Sequence, residues 1–186
     1  MDYNDVKRMV LEEVDPVLKQ KKKKEKMKMR ILTAAEFLAL IVVIIVVLYL
    51  LVGTSTISGN SMYPTLHDGN KVIYLRINQE VQRGDVVSIK MADGSVFVKR
   101  VVAVAGDNVS IQQGKVYING NELEDETAYG ETVTDGSQEY PLTVEEEHYY
   151  VLGDNREVSE DSRSFGTVSK DQIQGKILFY FGKISR

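Results

Sequence analysis

The 186-residue chain contains no cysteine and only two histidines, His67 and His148. Without cysteine there can be no disulfide, no thiol nucleophile and no cysteine-based metal site, so an exported domain would have to stand on its own hydrophobic core. About 130 residues are enough to build one. Neither histidine lies in a pattern that suggests a general base. A serine hydroxyl is a weak nucleophile until a neighbouring base takes its proton, so any serine chemistry here must use a different partner. The sequence also shows no internal repeat and no calcium-loop spacing in its acidic stretches.

Charge is lacking from Phe37 to Val52, a 16-residue stretch inside the apolar run Ile31–Val52, which is interrupted only by Glu36. That run matches the roughly 20 residues needed to cross a bilayer core of about 30 Å. A helix packed against the core of a domain this small would keep a polar face for solvent, and this segment is apolar all round. A cleaved signal peptide would have a shorter apolar core near the chain start, so the segment reads as an uncleaved anchor over residues 31–53. Lys19, Lys21, Lys22, Lys23, Lys24, Lys26, Lys28 and Arg30 crowd its N-terminal flank. The positive-inside rule then predicts a single-pass protein of the cell membrane, with residues 1–30 cytoplasmic and residues 54–186 extracytoplasmic. Beside a membrane span the lysine run is read as contact with anionic lipid rather than with nucleic acid. Of the 23 basic and 27 acidic residues, 13 and 21 lie from Ile31 onward, so the overall charge of −4 hides a basic tail and an acidic domain.

Val6, Met9, Val10, Val14, Val17 and Leu18 recur at helical spacing, interrupted by Pro16, which predicts a short amphipathic helix joined to the anchor by the lysine run. After Gly53 the pattern changes to short β-branched runs: Lys71–Arg76 ending near Asn78-Gln79-Glu80, Asp85–Lys90, Val96–Val102, Ser110–Gln112, Lys115–Ile118, Tyr149–Leu152 and Ile177–Phe181. Turn signals separate them, including Ala92-Asp93-Gly94 and Asn119-Gly120. The expected domain is mainly β and antiparallel, closed as a barrel or folded as a sandwich. Residues 121–148 are acidic and irregular and are expected to form a solvated insert.

Two residues carry the candidate chemistry. Ser61 lies in Ser58-Gly59-Asn60-Ser61-Met62-Tyr63-Pro64-Thr65-Leu66, just past the anchor. Lys99 lies in a strand where Phe97, Lys99 and Val101 share one face and Val98, Arg100 and Val102 the other. An ordinary lysine is protonated at neutral pH. Apolar neighbours disfavour the ammonium, and a base working near pH 7–8 needs about 4 kcal/mol of such destabilisation. An isolated lysine more often snorkels at a sheet edge, and a lone serine is more often a loop residue. The order of motifs distinguishes them.

Ser61-Met62-Tyr63-Pro64-Thr65-Leu66 resembles the nucleophile box of bacterial type I signal peptidases, the serine–lysine dyad family. Arg83-Gly84-Asp85-Val86-Val87 is similar to their next box, Lys99–Asp107 to the general-base box, and Gly153–Gly166 to the last. With the anchor, the resemblance runs from about residue 31 to 182. It implies Ser61 as nucleophile, Lys99 as general base, and Ser159 as a hydrogen-bond partner that orients the lysine amine. It implies an Asp161–Arg163 ion pair supporting the site and a turn shaped by Asp154 and Asn155. The implied activity is signal peptide removal from secretory preproteins with small residues at −1 and −3, bound as an added strand, with no cofactor and no metal. Met62 is a candidate pocket residue. Some family members use a serine hydroxyl two residues before the nucleophile as an oxyanion donor, and this chain has Gly59 there. Two other readings compete: a self-cleaving serine–lysine protease, and an anchored β-domain that binds peptides without catalysis.

Overall fold

The structure, a computed structural model, describes residues 2–76 and 80–182, with the backbone alone for residues 12–15 and 17. The expected polar boundary at Asn78-Gln79 and the side chains of Val14 and Val17 lie outside the described residues. Two compact units divide the chain, Met1–Leu48 and Tyr49–Arg186.

The first unit belongs to α1 (Tyr3–Leu51), a helix of 49 residues with Pro16 inside it. This corrects the expected short helix plus lysine linker. Lys, Met, Glu, Leu and Ala are all strong helix formers, so the basic run continues the helix instead of breaking it. The stretch Leu18–Leu51 is long and apolar enough to cross a membrane, and its apolar side chains are exposed on every side. The helix ends at Leu51, two residues before the expected anchor boundary.

The second unit is mainly β, with every pair of named strands antiparallel. Its elements are β1 (Val52–Thr56), β2 (Lys71–Leu75), β3 (Val86–Lys90), β4 (Val96–Val104), β5 (Asn108–Gln112), β6 (Lys115–Ile118), β7 (Asn121–Glu122), β8 (Leu142–Thr143), β9 (His148–Leu152), α2 (Ser162–Phe165), β10 (Val168–Ser169) and β11 (Ile173–Phe181). One sheet has the order β1-β2-β11-β3-β4-β9-β10 and the other β7-β6-β5-β8. The large sheet keeps two edge strands, β1 and β10, so the barrel is open.

Strand β4 organises this unit because it feeds all three apolar clusters. Val98 packs with Ile57, Met62, Leu66 and Val72. Val101 packs with Val81, Val87, Ile89, Val151 and Val168. Val102 and Ala103 pack together with Val109, Val116, Ile118, Val144, Tyr150 and Leu152. Strict alternation would send Val102 and Ala103 to opposite faces. A register shift against β9 between Val101 and Ala103 breaks it. Burying each of the β4 valines Val98, Val101 and Val102 contributes about 1.5–3 kcal/mol, so the strand carrying Lys99 is firmly held in the unit.

Residues 121–148 are not simply a solvated insert. Their glutamates face water, yet Thr132 and Val144 are buried. Tyr129 N donates to Asp154 O at 2.7 Å and Arg156 N to Tyr129 O at 2.8 Å. Asp125 pairs with the buried Arg156, which also donates to Thr132 Oγ1 at 2.9 Å. The acidic composition hid a backbone that docks on the Gly153–Phe165 segment.

Arg100, the residue after Lys99, ties three other motifs together. Its Nε and Nη2 form a fork on Asp154 at 2.7 and 2.6 Å, and Nη1 donates to Gly84 O at 2.8 Å. Thr65 Oγ1 accepts from Nη2 at 3.3 Å and donates to the same carboxylate. Arg83 forms a second fork with Asp107, at the far end of β4. Asp154 is fully buried, and a buried charge stripped of its partner costs about 3–5 kcal/mol. Arg100→Met is therefore expected to destabilise the protein by that amount in urea unfolding, and Arg100→Lys by less, because lysine keeps the charge without the fork.

Candidate active site

Ser61 opens a tight turn between β1 and β2, closed by Tyr63 N to Asn60 O at 3.1 Å and Leu66 N to Met62 O at 2.8 Å. Met62 and Leu66 are buried beneath it, which anchors the turn, while Ser61 itself is half-buried. The Ser61 carbonyl accepts from Asn155 N at 3.0 Å. Gly59 N is already committed to Asp68 Oδ1 at 2.8 Å.

Lys99 enters from β4, opposite Val87 on β3, and is only 3% exposed. Its Nζ donates to Ser159 Oγ at 3.1 Å and lies 5.3 Å from the centre of the Phe97 ring. Phe97 is itself backed by Phe165, with ring centres 6.1 Å apart. Among the described residues no carboxylate forms an ion pair with Lys99. Burial is therefore the dominant influence and pulls its pKa from 10.5 down to about 8. The more distant charges of Asp161 and Glu160 oppose that shift, and Arg163 adds to it.

Ser61 and Lys99 line one cavity of about 260 Å³, walled by residues 55–58 and 96–99. Met62 lines it too, though its side chain is fully buried in the core beneath. The described residues include no hydrogen bond between Ser61 and Lys99, so the lysine amine rests on Ser159. Neither histidine bonds to either residue: His67 stacks edge-on against Tyr63, and His148 Nδ1 meets Glu146 O.

The remaining residues singled out from sequence converge on the same place. Asp161 and Arg163 form a fork at 2.8 and 2.9 Å. Arg163 Nη2 also donates to Ser159 O at 3.1 Å, and Asp161 Oδ2 accepts from Gly153 N at 3.0 Å. Asp154 is the partner of Arg100. Asn155 holds the Ser61 carbonyl through its backbone, while its buried Oδ1 has no partner among the described residues. Gly153 is squeezed between the two halves of the site. A Cβ there would lie 2.1 Å from Ser159 Oγ and 2.5 Å from Ser61 O, so no other residue fits.

Sequence reasoning gave no role to Arg100 or Arg156. Arg156 Nε donates to Gly153 O at 3.0 Å and locks the glycine from behind. Both arginines stand inside the quoted motifs. The burial of Arg156 and the partial burial of Arg100 were the missing information, since an arginine in a strand or loop is usually solvated.

The model of the family described as signal peptidase, peptidase S26, matches residues 29–181. Signal peptidase IB of Staphylococcus aureus is 35% identical over 153 residues, covering 73% of this chain and 80% of its own. Probable signal peptidase I-2 of a Synechocystis strain is 31% identical over 141 residues, 70% of this chain and 63% of that protein. A crystal structure of a signal peptidase I from Enterococcus faecalis aligns at 29% identity with a TM-score of 0.45, over 54% of this chain and 98% of that one. The chain belongs to the signal peptidase family, peptidase S26, and is a peptidase that removes signal peptides.

Proposed function

We propose that Ser61 is the nucleophile and Lys99 the general base of a membrane-anchored endopeptidase that cleaves preproteins on the extracytoplasmic face. The observation that carries this reading is a lysine 97% buried, in no ion pair with a carboxylate among the described residues, in one cavity with Ser61. Neutral Lys99 takes the Ser61 proton as Oγ attacks the scissile carbonyl. It then passes that proton to the leaving amine and afterwards activates the deacylating water. Ser159 orients the amine, the Asp161–Arg163 fork holds Ser159 and Gly153, and Asp154 and Asn155 fix the turn that faces Ser61. The Ser61 backbone N–H serves as an oxyanion donor.

The 260 Å³ cavity accepts the signal-peptide side of the substrate. Met62 forms its floor, and Phe97 and Val98 stand among its walls, which leaves room only for small side chains at −1 and −3. The walls include the end of β1 (Ser55 and Thr56) and the start of β4 (Val96–Lys99), suited to a substrate bound as an added strand. The lysine-rich flank of α1 keeps the N-terminus cytoplasmic, with residues 54–186 outside.

Membrane vesicles sealed with the extracytoplasmic face outward test orientation and dyad together. They are expected to cleave an added preprotein, and both Ser61→Ala and Lys99→Ala to lose at least about a thousandfold in kcat. Normal cleavage by either variant would overturn the dyad.

Because the base must be neutral, kcat/KM is expected to rise tenfold per pH unit below about 8 and to level off above it. A profile still rising tenfold per unit at pH 10 would place the lysine at its ordinary value.

Burial of Lys99 also has a sign in stability. Its folded pKa, about 8, lies below the unfolded 10.5, so between these values the unfolded chain holds more protons and stability rises with pH. Lys99→Met is expected to be inactive yet more stable than the parent by about 3 kcal/mol at pH 7. That gap, read by chemical denaturation, should shrink toward pH 10.5.

A further inference from the structure

We infer that Tyr63 and Tyr129 form the binding surface for the first residues of the mature chain, on the leaving-group side of the scissile bond. The inference rests on Ser61 being the nucleophile. A polypeptide cleaved at Ser61 passes the hydroxyl on both sides. The cavity walled by residues 55–58 and 96–99 takes one side, and neither tyrosine lines it. The other half of the substrate must run out across what surrounds the nucleophile turn elsewhere.

Two large exposed rings stand there. Tyr63 is two residues from Ser61, so its Cα lies within about 7 Å of the nucleophile's own, and it is 37% exposed. Tyr129 is 48% exposed and comes from the 121–148 segment. It reaches the site through the backbone: Tyr129 bridges Asn155, whose N–H holds the Ser61 carbonyl. The rings meet edge to face with centres 5.2 Å apart, and His67 packs against Tyr63 at 5.4 Å in the same manner. Neither phenol oxygen makes a hydrogen bond among the described residues.

Exposed aromatics held rigid by neighbouring rings lose little freedom on binding, and their free hydroxyls can pair with a peptide backbone. The docking of Tyr129 is also costly to build, since it uses the buried Arg156 with Asp125 and Thr132. A merely solvated insert would need none of these contacts. The occupant is an extended peptide segment covalently continuous with the signal peptide.

Two fluorogenic peptides with the same signal-side half test the inference, one ending at residue +1 and one extending to +5. The wild-type protein and Ser61→Ala are measured first, and cleavage of the short peptide by the former but not the latter establishes Ser61 chemistry independently. Tyr63→Ala and Tyr129→Ala are expected to lower the ratio of kcat/KM for the long over the short peptide by fivefold or more, chiefly through KM on the long one. Tyr129→Phe should retain most of the ratio. An unchanged ratio, whether both peptides lose equally or neither loses, overturns the inference. Tyr129→Ser gives a second, soluble side chain at the exposed position should the alanine variant fold poorly.

Discussion

An amine kept almost out of water, with no carboxylate in an ion pair with it among the described residues, is the constraint on which the rest of the β-rich unit depends. Desolvating the ammonium costs several kcal/mol, and here the cost appears as a lysine displaced toward neutral pH. The surrounding structure must hold that side chain in place without neutralising the effect. A nearby aspartate ion pair would restore the ammonium, so Asp161 is occupied by Arg163 and Asp154 by Arg100. The two forks supply structure at the site and commit both carboxylates to guanidinium partners, so Asp161 and Asp154 act on the lysine only as longer-range charges that oppose part of the effect of burial.

The same arrangement explains why distant motifs are needed. Lys99 and Arg100 point to opposite faces of β4. One face holds Lys99 and the other clamps the Ser61 turn through Thr65, the Gly84 carbonyl and Asp154. Gly153 lies where the Ser61 and Ser159 segments touch, with Arg156 behind it. The site is thus a junction of four chain segments, held by guanidinium forks whose geometry a lysine could not reproduce.

Much of this was legible beforehand, for definite reasons. The strands of the catalytic domain follow β-branched runs bounded by turn residues. At Asp93-Gly94-Ser95, for example, Asp93 Oδ1 accepts from Ser95 N and Gly94 takes φ 87°. The candidate residues Ser61, Lys99, Ser159, Asp161 and Arg163 fall in recognisable motifs and meet in space. Less legible were features that depend on contacts between remote segments. The shift at Val101–Ala103 depends on pairing with β9, and the helix through the lysine run overrode the expected linker. The acidic 121–148 segment read as solvated because its glutamates are, while Asp125, Thr132 and Tyr129 were already committed to Gly153–Arg163.

Sequence alone determined the apolar span, its basic flank, the absence of any thiol, and the motifs that hold Ser61 and Lys99. These follow from composition, periodicity and short motifs, which are local properties. Tertiary structure decided that Lys99 is buried and Ser159 is its partner. It also made Arg100 and Arg156 structural ties rather than surface charges, and stood two tyrosines from segments 66 residues apart ring to ring beside Ser61. Burial and long-range contact set a side chain's solvation, and solvation, more than residue type, separates a base from an ordinary lysine.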